Sequence, residues 1–393
     1  MRALFVAALA AAALAAAAPA DAARPRLEIG IQDDPLFVRQ PAQYGGRGVG
    51  GLISRERAYT AARRIEARSV RINVLWKWVA KTRAQDGWDW SYYDSAVDAA
   101  LAHGLEPQLT LTGPAPAWAT ADGRPGARRP DPAMFGEFAA AAAERYRGRV
   151  PRYSIWNEPN WPSWLSPQRA AAGIYRRLYL AAYAAIRQAD PAARILIGEL
   201  APMGPPEAAT PPLEFLRALT CRDRRWHARR SCAPLVADGF AHHPYALRWG
   251  PDYRGPTRDD VTMGSLGRLE RALRVLAHRH ALATPAGHAP PVYLTEFGYH
   301  ANSLRIREPL RTRYTLQAFE IAARDRHVRQ IVWYQLAQPP PSPTRQWDTA
   351  LLRRGGRPRP VFTALVRWLR SAVSERLVAP ARVVARRASP RGP

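Results

Sequence analysis

Short apolar runs alternate with amphipathic segments eight times along this chain of 393 residues. The runs are rich in β-branched and aromatic residues, which predicts buried strands, and the segments between them have the apolar spacing of helices. Strands that alternate with helices form parallel sheets. Eight such units predict a (β/α)8 TIM barrel in a single domain. A doubly wound open sheet is the alternative, but it would usually carry a glycine-rich turn after the first strand, and none is present. The predicted strands are 27–31, 69–75, 105–112, 153–156, 195–197, 239–241, 292–295 and 330–334.

The two ends of the chain differ from the predicted barrel domain at 27–375. A charged start, an apolar run over 3–18 and the small residues Ala20-Asp21-Ala22 predict a secretory signal peptide at 1–22. An uncleaved membrane anchor is the alternative. No other segment is long and apolar enough to span a bilayer. We therefore expect a secreted or cell-surface protein with no stable membrane insertion after cleavage, and a basic, disordered tail at 376–393.

The formal net charge of +26 comes almost entirely from arginine, since Lys77 and Lys81 are the only lysines. Such a charge can indicate a nucleic-acid partner. However, the arginines are spread along the chain and no nucleic-acid-binding motif accompanies them. We expect no nucleic-acid binding, whereas an anionic polysaccharide remains compatible with the charge. We also expect a monomer.

The cysteines and histidines give no metal-site pattern. Cys221 and Cys232 are the only two cysteines, and in an exported chain an even count favours a disulfide between them. His227 between them does not complete a metal site. His242 and His243 are adjacent, so their side chains point to opposite faces of a strand. The sequence therefore predicts neither a metal nor another cofactor.

Polar residues cluster where the predicted strands end, and in a barrel all these ends meet on one face. Glu158 follows the fourth strand and Glu296 follows the seventh, so the two carboxyl groups should face each other across the mouth. Hydrolysis of a glycosidic bond requires such a pair. One carboxyl protonates the leaving oxygen, and the other attacks the anomeric carbon. Glu199, at the end of the fifth strand, is a third acid that we expect to support the pair or bind substrate.

Other residues on the same face suit this chemistry. Arg71 is expected to hold Glu296 ionised, and Tyr245 to donate a hydrogen bond to the same carboxylate. Asn157 is expected to bond the sugar hydroxyl next to the reacting carbon. Structural ion pairing is the alternative for Arg71. Three tryptophans offer flat faces for stacking on sugar rings, although each could instead be core packing: Trp76, Trp118 and Trp333.

Two segments carry a resemblance to a known group of enzymes. Ile155-Trp156-Asn157-Glu158-Pro159 and Leu294-Thr295-Glu296-Phe297-Gly298 resemble the two catalytic signatures of the retaining glycoside hydrolases of clan A. Val70-Arg71-Ile72 and His243-Pro244-Tyr245 extend the resemblance, which covers roughly Leu27 to Val373. Families 5 (cellulase-like) and 39 are the most similar.

The resemblance implies a catalytic barrel in which Glu158 is the acid/base and Glu296 is the nucleophile. It further implies that Asn157, Arg71, His243 and Tyr245 support them, and that the substrate is a poly- or oligosaccharide. The alternative is a catalytically inactive carbohydrate-binding barrel at the cell surface. Retention of both glutamates argues against that alternative.

Overall fold

A computed structural model of the protein describes residues 25–39, 53–204, 209–301, 306–339 and 347–382. Eight parallel strands close into a barrel in the order β1-β10-β9-β7-β5-β4-β3-β2, and helices follow the strands along the chain. The predicted (β/α)8 barrel is therefore confirmed. The predicted signal peptide at 1–22 lies outside the described residues.

All eight predicted strands are present in the barrel, most of them one to four residues longer than the sequence pattern indicated. Two short strands, β6 and β8, were missed, and they pair with each other outside the barrel. The strands are β1 Glu28–Gln32, β2 Ala67–Leu75, β3 Glu106–Thr112, β4 Arg152–Ile155, β5 Arg194–Leu200, β6 Leu235–Val236, β7 Gly239–His242, β8 Leu282–Ala283, β9 Val292–Phe297 and β10 Val328–Tyr334.

Helices surround the barrel and bury their apolar faces against it. They are α1 Asp34–Phe37, α2 Arg55–Arg64, α3 Trp76–Val79, α4 Ser91–Ala102, α5 Pro132–Arg145, α6 Gln168–Ala189, α7 Pro212–Leu219, α8 Leu266–His278, α9 Glu308–Arg324 and α10 Pro360–Ser374. Helix α5 begins as the sequence predicted. Asp131 caps it by accepting a hydrogen bond from the backbone of Met134 at 3.0 Å, and a proline occupies its first turn.

The barrel lumen contains polar side chains at several levels. Near the N-terminal ends of the strands, Arg152 donates to Gln108 and forms an ion pair with Glu28 at 3.0 Å. Further up, Gln330 donates to Ser69 at 2.8 Å. These residues pair with one another inside the barrel through part of their polar atoms.

A glycine allows the barrel to close tightly beneath the mouth. Gly198 on β5 has a φ of +117°, and a Cβ atom there would lie 2.4 Å from the carbonyl oxygen of Ala241 on β7. Only glycine accommodates both the backbone conformation and the close approach of the next strand. The following residue is Glu199, so this contact also fixes the backbone that carries that carboxyl group.

The prediction of a disordered tail from 376 onward is wrong for its first residues. Leu27 and Val378 form a parallel bridge, and Arg382 pairs with Glu106 at the start of β3. The backbone of Ala381 donates to Glu66 at 2.8 Å. The chain after α10 therefore packs under the barrel, because the backbone of Leu27, just before β1, and the side chain of Glu66 form hydrogen bonds with it. Residues 383–393 lie outside the described part.

A disulfide joins Cys221 and Cys232, closing the arginine-rich segment between α7 and β6. Within it, Asp223 accepts hydrogen bonds from the backbone of Arg225 and His227, each at 2.8 Å. Among the described residues, no helix combines the length and apolar character that crossing a bilayer requires.

The close approach at Gly198 gives a stability prediction. Replacing Gly198 with alanine should lower the free energy of unfolding by about 1–3 kcal/mol, because the new Cβ forces β5 away from β7. Thermal and urea unfolding measure the loss. Gly173→Ala in α6 is the matched control. Its Cβ would meet only Arg177 Nη1, at 3.9 Å, so stability should stay equal or rise by up to about 1 kcal/mol. Equal losses in both variants would contradict this account of the barrel closure.

Candidate active site

The polar residues predicted at the strand ends lie together at the C-terminal mouth of the barrel. Glu158 follows β4, Glu296 belongs to β9, and both keep a small exposed fraction, 19% and 14% of their side chains. Arg71 on β2 and His243 after β7 are fully buried beside them. The mouth therefore holds two partly accessible carboxyl groups above a buried layer of charged side chains.

Arg71 connects the site across the barrel. Its Nη1 donates to Glu296 Oε2 at 3.0 Å and to Gln32 Oε1. Its Nη2 donates to Asn157 Oδ1 at 2.8 Å and to Glu199 Oε2 at 3.0 Å. One guanidinium thus fixes side chains from four other strands or strand ends, a geometry that suits the rigid fork of arginine.

Glu296 accepts a hydrogen bond on each carboxyl oxygen. Arg71 donates to Oε2, and the hydroxyl of Tyr245 donates to Oε1 at 2.9 Å. Both contacts were predicted from the sequence. Both donors favour the ionised form of Glu296 and so oppose the effect of burial, which raises its pKa.

Asn157 is held with its amide oriented. Its Oδ1 accepts from Arg71, and its backbone N–H donates to Thr112 at 3.0 Å. In the described part of the chain its Nδ2 has no hydrogen-bond partner. That amino group is therefore the donor that Asn157 has left for a ligand.

Glu158 has a different environment from Glu296. Its Oε1 contacts His243 Nδ1 at 2.9 Å, and its Oε2 has no hydrogen-bond partner among the described residues. His243 Nε2 contacts Glu199 Oε2 at 2.6 Å. A continuous chain of contacts therefore runs from Glu296 through Arg71, Glu199 and His243 to Glu158.

Glu199 is the member of this chain whose central place the sequence did not reveal. It is fully buried and also accepts hydrogen bonds from Ser154 and from Thr295, the latter at 2.8 Å. The only sequence signal was an acidic residue at the end of a predicted strand, directly after a glycine. Sequence position alone does not tell which of the converging side chains touch.

The electrostatics of the buried layer follow from these contacts. Burial alone would raise the pKa of Glu199, but the charge of Arg71 and the hydrogen bonds from His243 and Ser154 lower it to about 2. Burial alone would lower the pKa of His243, but Glu296, Glu158 and Glu199 raise it to about 9. At neutral pH the layer therefore contains a carboxylate between two cations.

These shifts link folding stability to pH. The protonated imidazole of His243 stabilises the fold fully below its ordinary pKa of 6.5, and the contribution is lost as pH rises through about 9. The ionised carboxyl group of Glu199 stabilises the fold fully above pH 4.5, and this contribution to stability is lost as pH falls towards about 2.

The pKa of Glu296 is raised by burial. The charges of His243 and Arg71 oppose the rise, and the charge of Glu158 adds to it.

Left-handed backbone conformations occur at the C-terminal ends of β4 and β5, at and beside Glu158 and Glu199. Trp156, Glu158 and Glu199 have φ angles of +65°, +38° and +53°. Non-glycine residues rarely adopt this region, and such outliers concentrate at functional sites. Here they interrupt the strand alternation, so that Asn157 and Glu158, although adjacent, both reach the mouth.

Two of the three predicted sugar-stacking tryptophans are not at the mouth. Trp333 is fully buried on the outer side of β10, against Phe319 and Arg311 of α9, and its indole N–H donates to the carbonyl oxygen of Thr349 at 3.1 Å. Its neighbour Tyr334 faces the mouth instead, within electrostatic range of Glu296. The prediction chose the wrong one of two adjacent residues, whose side chains point to opposite faces of the strand.

Trp76 is also fully buried, stacked on Phe138 of α5 with ring centroids 5.7 Å apart. Its position just after β2, in the first turn of α3, turns the ring into the layer between strands and helices. The core-packing alternative is therefore correct for Trp76.

Trp118 is half-buried. Its ring meets that of Trp76 edge to face at 5.8 Å, and its indole N–H donates to the carbonyl oxygen of Ala80 at 3.1 Å.

An exposed tryptophan that the sequence analysis did not select lies beside the site. Trp347 is 38% exposed, and its ring meets Tyr245 edge to face at 5.5 Å and His300 at 4.1 Å. Tyr245 in turn bonds Glu296. A tryptophan in the loop after the last barrel strand was the available signal, but its distance from the strand end hid its position.

The geometry gives no metal site in the described ranges, where no group of three or more His, Cys, Asp or Glu side chains is arranged to hold an ion. His242 and His243 point to different sides, as predicted, since His242 Nε2 contacts the carbonyl oxygen of Val261 at 2.8 Å.

Comparison with solved structures shows the same fold in known glycoside hydrolases. A family 39 glycoside hydrolase from Bacteroides cellulosilyticus WH2 matches with a TM-score of 0.63 and 16% identity, over 88% of this chain and 64% of that one. An exo-β-1,4-mannosidase from an Opitutaceae bacterium matches with a TM-score of 0.59 and 18% identity, over 89% and 60%. A family 5 enzyme, subfamily 18, from Streptomyces cattleya matches with a TM-score of 0.60 and 16% identity, over 91% and 82%.

This chain therefore spans less than two thirds of the length of the first two of these neighbours. No protein-family model matches the sequence, and no curated protein matches it. At these identities the comparison shows a shared fold, the barrel of the clan A glycoside hydrolases that the sequence motifs resemble.

A buried and an exposed arginine ion pair should contribute very differently to the free energy of unfolding. Arg71→Met should lower the free energy of unfolding by about 3–5 kcal/mol, because it leaves Glu199 buried without its cation. Arg149→Met is the control, since Arg149 is 38% exposed and pairs with Asp98 at the surface. There the loss should stay below about 1 kcal/mol. Denaturant titrations of both variants provide the measurement, and similar losses would contradict the buried network.

Proposed function

We propose that this protein is an exported retaining glycoside hydrolase that cleaves O-glycosidic bonds of a poly- or oligosaccharide by double displacement. Glu158 is the acid/base and Glu296 is the nucleophile. The observation that carries the proposal is the asymmetry between the two carboxyl groups. Both oxygens of Glu296 accept hydrogen bonds, whereas Glu158 Oε2 has no hydrogen-bond partner among the described residues. The barrel fold that this chain shares with glycoside hydrolases of families 39 and 5 supports the same class of reaction.

In the first step, Glu296 attacks the anomeric carbon while Glu158 protonates the departing oxygen. A carboxylate held by Arg71 and Tyr245 is a suitable nucleophile, because the contacts orient it and favour its ionised form. In the second step, Glu158 removes a proton from water, and the water oxygen replaces Glu296 at the anomeric carbon. No metal or cofactor enters this mechanism.

Substrate binding follows from the groups left over at the mouth. Asn157 Nδ2 is placed to donate to a hydroxyl beside the reacting carbon. Trp347, with its exposed face next to Tyr245, is proposed as the sugar-stacking residue in place of Trp333. The formal charge of +26 makes anionic polysaccharides the first substrates to test. The signal peptide, secretion and a monomeric state remain proposals from the sequence.

The direct test exchanges each glutamate for glutamine. Glu158→Gln and Glu296→Gln should each lower kcat/KM by at least about two orders of magnitude, because each removes a proton donor or a nucleophile while conserving shape. Phenyl glycosides, whose departing oxygen needs protonation, and neutral and anionic polysaccharides are the substrates, and circular dichroism checks the fold. Glu320→Gln on the surface of α9 is the control and should retain activity. Near-normal turnover in either active-site variant would exclude the assignment. Glycan binding with no turnover by the unaltered protein would favour the inactive carbohydrate-binding alternative.

A further inference from the structure

We propose that Glu199 is a positioning residue for the acid/base group: acting through His243, it determines which oxygen of Glu158 carries the catalytic proton. The inference rests on the proposed function, because it concerns the same carboxyl group. It goes beyond that function by giving a task to an acid that touches neither substrate nor the reacting atoms.

The contacts of Glu199 show that it acts only as an acceptor. Arg71 donates to Oε2 at 3.0 Å and Thr295 donates to the same oxygen at 2.8 Å. Ser154 donates to Oε1. Since an arginine and two hydroxyls already donate to this fully buried carboxylate, the remaining contact, with His243 at 2.6 Å, places a hydrogen on Nε2 of the ring.

With Nε2 protonated, the ring has two possible states at Nδ1. In the neutral state Nδ1 is an acceptor, and Glu158 would have to donate its proton from Oε1, towards the ring. In the imidazolium state Nδ1 donates to Oε1, and the proton of Glu158 must reside on Oε2. Oε2 is the oxygen without a partner in the described part of the chain. Only the imidazolium state therefore leaves the proton free for a substrate.

The charges around His243 decide between the two states. Glu296 and Glu199 favour protonation of the ring by their charges, and Glu158 and Glu199 favour it by accepting hydrogen bonds. Arg71 contacts Glu199 and Glu296. His242, the adjacent residue, stays neutral because burial lowers its pKa to about 3. Glu199 is the one of the three acids that is fully buried and holds Nε2 directly. The pKa of about 9 for His243 agrees with an imidazolium throughout the neutral range.

The consequence for the reaction is an oriented and strengthened acid. As the glycosidic C–O bond breaks, its electron pair goes to the departing oxygen, which takes the proton from Glu158 Oε2. Glu296 forms the new bond to carbon. The carboxylate left on Glu158 is stabilised by the hydrogen bond from the imidazolium, which keeps both of its protons. In the second step Oε2 takes a proton from water while the water oxygen bonds to the anomeric carbon and Glu296 leaves, which restores the starting state.

A first experiment measures the ring of His243 directly and does not depend on activity. Glu199→Gln removes the charge while the amide oxygen can still accept from Nε2. The pKa of His243, followed by 15N NMR and assigned with His243→Asn, should fall by at least about one unit from its value of about 9. An unchanged pKa would overturn the inference. So would a ring that is already neutral at pH 7 in the unaltered protein.

A second experiment tests whether the effect reaches the acid step. Phenyl and 2,4-dinitrophenyl β-glycosides of glucose, mannose and xylose differ in their need for protonation of the departing oxygen. Glu199→Gln should lower kcat/KM at least about tenfold for the phenyl substrate and less than about threefold for the dinitrophenyl substrate. Equal losses on both would assign Glu199 a merely structural role. Ser154→Ala, which removes one hydrogen bond from Glu199 and keeps its charge, should retain the unaltered ratio of the two rates.

A double variant tests whether Glu199 affects activity through His243. If Glu199 acts through His243, then Glu199→Gln combined with His243→Asn should lose no more activity than His243→Asn alone. Losses that multiply would contradict that route. A failure of the proposed function can be told apart from a failure of this inference. In the first case the kcat/KM of Glu158→Ala would not depend on the leaving group, or the unaltered protein would hydrolyse no glycoside. The NMR titration would still decide whether Glu199 sets the charge of His243.

Discussion

A single buried cation, the guanidinium of Arg71, determines how the mouth of this barrel is organised. It has no exposed surface and contacts Gln32, Asn157, Glu199 and Glu296, each from a different strand or strand end. A buried charge is tolerated only when it is paired and hydrogen-bonded. The four contacts therefore join the stability of the barrel to the positions of the groups that would perform the chemistry.

The contacts also explain how two chemically identical side chains acquire different roles. Glu296 is surrounded by donors, which favours the carboxylate. Glu158 is held on one oxygen by His243, and its other oxygen is left for a substrate. Between them, Glu199 separates two cations that would otherwise repel each other. Paired acids with divergent environments are the general solution for acid and base catalysis at one pH.

The sequence predicted the barrel and the convergence of the acids because both depend on local patterns. Strand alternation and the shared direction of parallel strands brought Glu158 and Glu296 to one face. What it did not predict depends on details of one residue or on tertiary contacts. Trp333 was selected although its neighbour Tyr334 is the one that faces the mouth, because the pattern does not fix which of two adjacent strand residues faces the lumen. Glu199 and Trp347 were underestimated because contacts between distant strands and loops leave no spacing in the sequence.

The central claim is that Glu296 and Glu158 play different roles, and the configuration of azide products tests it most directly. Glu296→Gly and Glu158→Ala would each be supplied with azide and a 2,4-dinitrophenyl β-glycoside that the unaltered protein hydrolyses. Azide in the space left by Glu296 attacks the sugar once and should yield the inverted α-glycosyl azide. Azide beside the missing Glu158 attacks the glycosyl–Glu296 intermediate and should yield the retained β-glycosyl azide. Proton NMR of the products distinguishes them. The same configuration from both variants, or no azide product from either, would contradict the account.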